Sequence, residues 1–331
     1  MRAVALVAPG EVAVMDDWPE PRCGPDEVIV AVAGVGLCGS DLAVVAGERA
    51  VPGLPWVLGH EAYGTVAEVG ADVRDRRVGQ PVVVEPNYPC FRCAACRSGA
   101  TSGCSRRRAL GISEPGTLAE RLAVPARFAW PADGAAEDMV CVEPFAVASN
   151  AIRLSGVRPG EPCLVVGAGA QGLLTCLAAR YAGAVPHVTE PHPGRLALAG
   201  ELGARPDDGR EYPVVLETSG VPEAFEAALD RTAPGGCLVV VGQSSRPARV
   251  PTFTLVQRRL TVRGCLIYDH PGGFAAVLAT LADGRAPRLG GVVRARFDLA
   301  DAPRAFAGAP AVAGKSWISL TPIALHQEVA R

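Results

Sequence analysis

The sequence carries almost no surplus of either charge: 32 lysines and arginines face 34 acids, for a formal net charge of −2. Without a basic excess there is nothing to grip a phosphate backbone, which excludes nucleic acid as a partner. Long apolar runs are also lacking. The greasiest stretches, 163–167 and 237–242, are strand-sized and fall far short of the roughly 20 residues of a membrane span. The opening MRAVALVAPGEVAVMDDWPE alternates apolar and polar residues and soon carries acids, unlike a charged-then-greasy export signal. Internal repeats and low-complexity tracts are absent. These absences predict a soluble, cytoplasmic protein with no membrane partner.

What is present is cysteine, eleven of them. In a reducing compartment they are not disulfide staples, so their spacing must decide their role. Cys90, Cys93, Cys96 and Cys104 lie in PCFRCAACRSGATSGC, two residues between each of the first three and seven before the fourth. Four thiolates this close can close a tetrahedron around one zinc ion. An iron–sulfur cluster and chance clustering are the other readings; structural zinc is preferred, with no position left open for chemistry. Cys23, Cys141, Cys163, Cys176, Cys237 and Cys265 sit singly among apolar neighbours and are expected to be buried small hydrophobes.

At 331 residues the chain accommodates two domains. Up to about residue 130 it reads as short β segments punctuated by glycine and proline: VALVA, EVIVAVAGVG, YGTVAEVG, QPVVVEP and LAERLAVP. From Pro144 onward strands alternate with amphipathic helices, the βαβ pattern of a parallel sheet. A return to β texture in VVRARFDLADAPRAFAG predicts that the chain crosses back. The expected division is 1–149 with 284–331, including a cysteine lobe at about 86–108, and 150–283.

Within the βαβ region, VVGAGAQGLL places Gly167, Gly169 and Gly172 after a strand and at a helix start, with Gln171 among them. That context makes GxGxxG a dinucleotide-binding turn of a Rossmann sheet, with a pyrophosphate on the helix N-terminus. Glu190 ends the next strand at the separation where a carboxylate accepts both ribose hydroxyls, favouring NAD over NADP. Arg195, close behind, could instead welcome a 2′-phosphate. Thr218, Val241, Gly242 and Leu266 occupy later strand ends that line such a site. Between Gly203 and Pro213 only ARPDDGREY remains, too short for a strand plus crossover helix. The sheet edge around 204–212 is therefore expected to be trimmed, with the third strand or its helix missing and the adenine side more open.

A second constellation comprises Cys38 in GLCGSD, His60 and Glu61 in LGHEAYG, and Glu143 in CVEPFA. Mixed S, N and O donors leave an exchangeable position on zinc. GLCGSD, LGHEAYGTVAEVG, the four-cysteine lobe and VEPFAVA together resemble the zinc-containing medium-chain dehydrogenase/reductases of the alcohol dehydrogenase superfamily, over nearly the whole chain. The glutamate in VEPFAVA resembles the polyol branch, which includes sorbitol and threonine dehydrogenases.

The resemblance implies a GroES-like β-rich catalytic domain beside the Rossmann sheet, and two zincs per chain. The catalytic zinc would be held by Cys38, His60 and Glu143, with Glu61 alternating as ligand or acting as their partner. Ser40 matches the hydroxyl that first accepts the alcohol proton, whereas the histidine that passes it onward in many relatives is replaced by Ala43. Arg195 resembles a basic residue common in NAD-using relatives.

The expected reaction is hydride transfer from a secondary alcohol to NAD, giving a ketone. The expected substrate is a polyol, sugar, cyclitol, amino sugar or aminocyclitol of specialised metabolism. Trp56, Asn87, Tyr88 and Asn150 are candidate pocket residues. Alternatives are an NAD-retaining epimerase and a threonine dehydrogenase-like amino-alcohol oxidation. Family resemblance also implies a homodimer or homotetramer, joined through the edge of the nucleotide-binding sheet.

Overall fold

The computed structural model describes residues 1–284 and 286–320; part of the expected 284–331 segment, namely 285 and 321–331, lies outside the described residues. Two large sheets organise the chain. The first, mostly antiparallel, has seven strands. Along it run Ala129–Pro131, Pro81–Val84, Glu61–Val69, Glu27–Gly36, Lys315–Ser319 and Val293–Asp298, and Arg121–Pro125 also pairs with Glu27–Gly36. The last two strands among the described residues thus take interior and edge places in a sheet that begins with Glu27–Gly36, while Ala3–Ala8, Glu11–Met15 and Trp56–Val57 form a separate three-stranded sheet.

Glycines let this sheet pack tightly where the site forms. A Cβ on Gly34 would lie 2.5 Å from the Trp317 ring and 2.7 Å from that of Tyr63. A Cβ on Gly36 would collide with the Glu61 carboxylate and the Lys315 side chain. Gly36 pairs with both Glu61 and Trp317 across neighbouring strands, so this absence of side chain is what admits two charged groups into the sheet interior.

The second sheet is entirely parallel, six strands ordered Arg205–Pro206, Val185–Thr189, Pro162–Val166, Tyr212–Glu217, Thr232–Val240 and Thr261–Gly264. Its central strands are covered on both faces, which explains near-continuous apolar runs such as CLVV and VVL. Helices Val142–Ser155, Ala170–Tyr181 and Gly272–Ala282 pack together on it, and Val142–Ser155 runs unbroken through position 149/150. The helix Thr252–Arg258, absent from the sequence reading, precedes the last strand.

The trimmed edge is present. The third strand survives as two exposed residues, Arg205–Pro206, and no helix separates it from Tyr212–Glu217. The short loop is pinned instead by side chains: Arg231 donates to both Asp207 oxygens at 2.5 and 2.6 Å, and the Tyr212 hydroxyl donates to Asp207 and Asp208. Among the described residues, no helix is long and apolar enough to cross a membrane.

Candidate active site and metal centres

Cys38 sits at the N-terminal cap of the helix Gly39–Val45, so its sulfur projects from a fixed turn. The turn is closed by Asp41, whose Oδ2 accepts from the Cys38 amide at 3.1 Å, while Oδ1 accepts from the Gly59 amide at 3.1 Å. The same Oδ1 lies 3.3 Å from His60 Nδ1. A buried carboxylate facing one ring nitrogen favours a proton on Nδ1 and leaves Nε2 toward Ser40. Burial opposes charge on both partners, yet their attraction prevails: Asp41 is held below the usual carboxylate range and His60 well above the usual imidazole value. Ser40 Oγ lies 3.4 Å from His60 Nε2.

Glu61 opens the strand beside His60, and donor atoms of Cys38, His60 and Glu61 all lie within 4.8 Å of one another. The fully buried Glu61 carboxylate forms an ion pair with Lys315 Nζ, which also donates to the Leu37 carbonyl at 3.2 Å. Burial disfavours the ammonium, but Glu61 more than compensates and raises the Lys315 pKa. Glu61 Oε1 is buried without any hydrogen-bond partner, an oxygen available to a cation. The mixed, clustered donor set therefore fits a zinc ion with an open position.

Glu143, in the first turn of Val142–Ser155, lies outside that tight grouping. It is near enough for His60 and Glu61 to act on its charge, and burial pushes its carboxyl up to about 7. Its Oε1 accepts from the Tyr268 hydroxyl at 3.1 Å, and Asn87 Nδ2 approaches that hydroxyl at 3.5 Å. The segment carrying Tyr268 is tied to the cysteine lobe, since the Ser102 amide donates to Asp269 and the His270 amide to the Thr101 hydroxyl.

Cys90, Cys93, Cys96 and Cys104 bring their sulfurs within 4.8 Å of one another. The Cys90 amide donates to Cys104 Sγ at 3.3 Å, and the backbone amide of Arg92, foremost, draws the Cys90 thiol down to about 6. An all-sulfur set preoriented by backbone donors fits structural zinc. Of the single cysteines, Cys141, Cys163, Cys176 and Cys265 are buried, while Cys23 and Cys237 are half-buried.

The glycine turn uses each glycine differently. Gly167 has φ +93°, a left-handed conformation that glycine adopts freely. A Cβ on Gly172 would lie 2.0 Å from the Gly167 carbonyl, whereas nothing lies within 4 Å of one on Gly169, the helix cap. The Thr218 hydroxyl braces the turn, donating to the carbonyls of Val166 and Gly167, and Gln171 donates to the Pro144 carbonyl. Glu190 accepts from the amides of Ala168 at 2.7 Å and His192 at 2.9 Å. Arg195 directs its guanidinium to the Pro310 carbonyl. Val241 and Gly242 both donate to the Glu217 carbonyl, and Leu266 is exposed.

The four candidate pocket residues divide. Asn87 faces Tyr268, whereas the Trp56 indole donates to the Gly111 carbonyl, Asn150 donates to the Ile267 carbonyl, and Tyr88 packs against Phe128. A cavity of about 350 Å³ lies elsewhere, in a seam lined by Ser149, Arg153, Tyr181 and Thr280, and contains none of the candidate ligands. Sequence reasoning passed over Asp41 and Lys315. Asp41 had a signal, standing three residues after Cys38 where it closes the cap. Lys315 had a plainer one, being the only lysine in the chain.

Residues 24–134 match the alcohol dehydrogenase GroES-like domain, and residues 207–283 match the zinc-binding dehydrogenase family. An L-threonine 3-dehydrogenase of Thermococcus kodakarensis is 32% identical over 77% of this chain and 79% of its own length. An L-galactonate-5-dehydrogenase of Escherichia coli K12 is 29% identical over 80% of this chain and 83% of its own. The solved structure of galactitol-1-phosphate dehydrogenase from Escherichia coli superposes with a TM-score of 0.87 at 27% identity, covering 96% of this chain and 100% of that one. The chain belongs to the zinc-containing medium-chain alcohol dehydrogenase family. It is accordingly an oxidoreductase of the zinc polyol and alcohol dehydrogenase type.

Proposed function

We propose that this enzyme oxidises a secondary alcohol of a polyhydroxylated small molecule to a ketone and passes the hydride to NAD. The observation that carries the reading is the clustering of Cys38, His60 and Glu61 within 4.8 Å, with Glu143 beside them. Cys38 and His60 are the fixed donors in this reading, and Glu61 and Glu143 exchange as the third. Zinc bound there supplies Lewis acidity that favours ionisation of an alcohol oxygen. Asp41 keeps the His60 ring in one tautomer. Ser40 receives the alcohol proton, and Ala43 leaves its onward transfer to the cofactor ribose, to water or to Glu61.

Glu190 supports NAD, because a carboxylate just after the second strand of such a fold repels a 2′-phosphate. The polyol reading is supported by relatives named for L-galactonate and galactitol 1-phosphate, and an amino-alcohol by those named for threonine. A second zinc in the four-cysteine lobe holds that segment together. A homodimer or homotetramer joined at the nucleotide-sheet edge is supported by the exposed strand Thr261–Gly264 and by Phe253, Val256, Val262 and Leu266, all apolar and exposed. The test is NADH formation by zinc-loaded enzyme across a panel of polyols, sugars, cyclitols and threonine, repeated with NADP. Turnover of a polyol with NAD is expected. Inactivity on every alcohol contradicts the reaction, and a clear NADP preference contradicts the cofactor.

A further inference from the structure

The cysteine lobe carries charge of one sign. Residues 86–113 contain five arginines, at 92, 97, 106, 107 and 108, and neither aspartate nor glutamate. Arg97 donates to the Arg92 carbonyl, and Arg108 lies over the Tyr88 ring and 3.9 Å from Glu114. Arg107 differs. It is half-buried, its NH1 donates to the Ser102 carbonyl at 3.1 Å, and its Nε is buried with no acceptor. Among the described residues no carboxylate pairs with it. A buried donor left unpaired is costly, and a guanidinium keeps its charge under all ordinary conditions.

A second unpaired guanidinium lies close by. Arg49 is half-buried, and its side chain makes neither a hydrogen bond nor an ion pair among the described residues. It is close enough to Arg107 for the two like charges to oppose each other, and Tyr268 is in the same neighbourhood. Both arginines are tied to segments that carry the candidate site: Ser102, whose carbonyl accepts from Arg107, donates its amide to Asp269, next to Tyr268. The Tyr268 hydroxyl donates to Glu143, and the Arg49 amide bonds the carbonyl of Ala43, which shares a helix face with Ser40. Two neighbouring cations, one with an unfilled buried donor, are complementary to an anion with several acceptor oxygens.

We infer that Arg107 and Arg49 form an anion subsite beside the metal-ligand cluster, and that the alcohol oxidised carries a carboxylate or phosphate group. The subsite selects among polyols by the charged end, while the hydroxyl to be oxidised lies toward Cys38 and His60. The substrate class named here rests on the dehydrogenase reading; the subsite itself rests on the two arginines.

The test uses the zinc-loaded full chain at saturating NAD with three matched substrates: a neutral hexitol, the corresponding aldonate and the corresponding hexitol 1-phosphate. One anionic form is expected to exceed the neutral one in kcat/KM by about 100-fold, and which one does so distinguishes carboxylate from phosphate. Arg107→Gln and Arg49→Gln are each expected to cut that ratio about tenfold or more, through KM. Arg49→Gln removes no hydrogen bond of the fold, so it guards against a structural effect at Arg107. Preference for the neutral hexitol, or a ratio unchanged in both variants, overturns the inference. If no alcohol is oxidised, the dehydrogenase reading fails, and calorimetric titration with inorganic phosphate in the presence of NAD still decides the subsite. Binding weakened in both variants supports it; binding that is absent, unaltered or displaced by NAD overturns it.

Discussion

The only lysine in the chain, Lys315, is buried against Glu61, a candidate ligand two strands away in the same sheet. The contact exists because Gly36, on the strand between them, has no side chain. It fixes one Glu61 oxygen and leaves the other without a partner. Removing one member of a buried pair strands the other charge, at a cost of about 3–5 kcal/mol. Lys315→Met should therefore lower the melting temperature sharply, and adding Glu61→Gln should restore part of the loss. Unchanged melting of Lys315→Met would show that the pair contributes nothing.

Asp41 acts through His60. Asp41→Asn preserves shape but loses the charge that holds the imidazole in one tautomer. Zinc affinity at the Cys38–His60 site should fall about 10- to 100-fold, measured by chelator competition, with the cysteine lobe retaining its metal. Loss of both metals together would assign Asp41 a general folding role.

The glycine turn separates folding from binding. In Gly172→Ala the new Cβ meets the Gly167 carbonyl at 2.0 Å, so the turn must distort and the melting temperature should fall even without cofactor. In Gly169→Ala the methyl enters open space, so melting should hardly change while the Kd for NAD rises. Calorimetry with and without NAD distinguishes the two, and equal behaviour would refute the assignment.

Glu143 supplies a pH dependence. Burial raises its carboxyl to about 7 from the ordinary 4.5, so the folded chain holds this proton more tightly than the unfolded chain. Its contribution to stability is complete below pH 4.5 and is lost as pH rises through 7. In metal-stripped enzyme, Glu143→Gln should be more stable than the parent at pH 8, by up to about 3 kcal/mol, and gain nothing at pH 4. Thermal melts at the two pH values check the sign.

Local chemistry was legible and long-range pairing was not. The parallel sheet could be read because its buried strands are continuous apolar runs between amphipathic helices. The trimmed edge could be read because ARPDDGREY is simply too short. The GxGxxG turn and the four cysteines each occupy one short segment. Lys315 and Tyr268, by contrast, reach Glu61 and Glu143 only through sheet pairing and the packing of distant segments. Asp41 lies beside the motif yet was not singled out, because its value lies in facing His60 and Gly59. The helix Thr252–Arg258 escaped notice because none of its residues is fully buried, leaving no apolar stripe to read.

The central claim is that Cys38 and His60 hold the metal on which hydride transfer to NAD depends. The most direct measurement is zinc per chain in the parent and in His60→Ala, taken with NADH formation on the best polyol found. The account predicts two zincs in the parent, one in the variant, and at least about a thousandfold loss of kcat/KM. Two zincs in His60→Ala, or undiminished turnover with one, would contradict it.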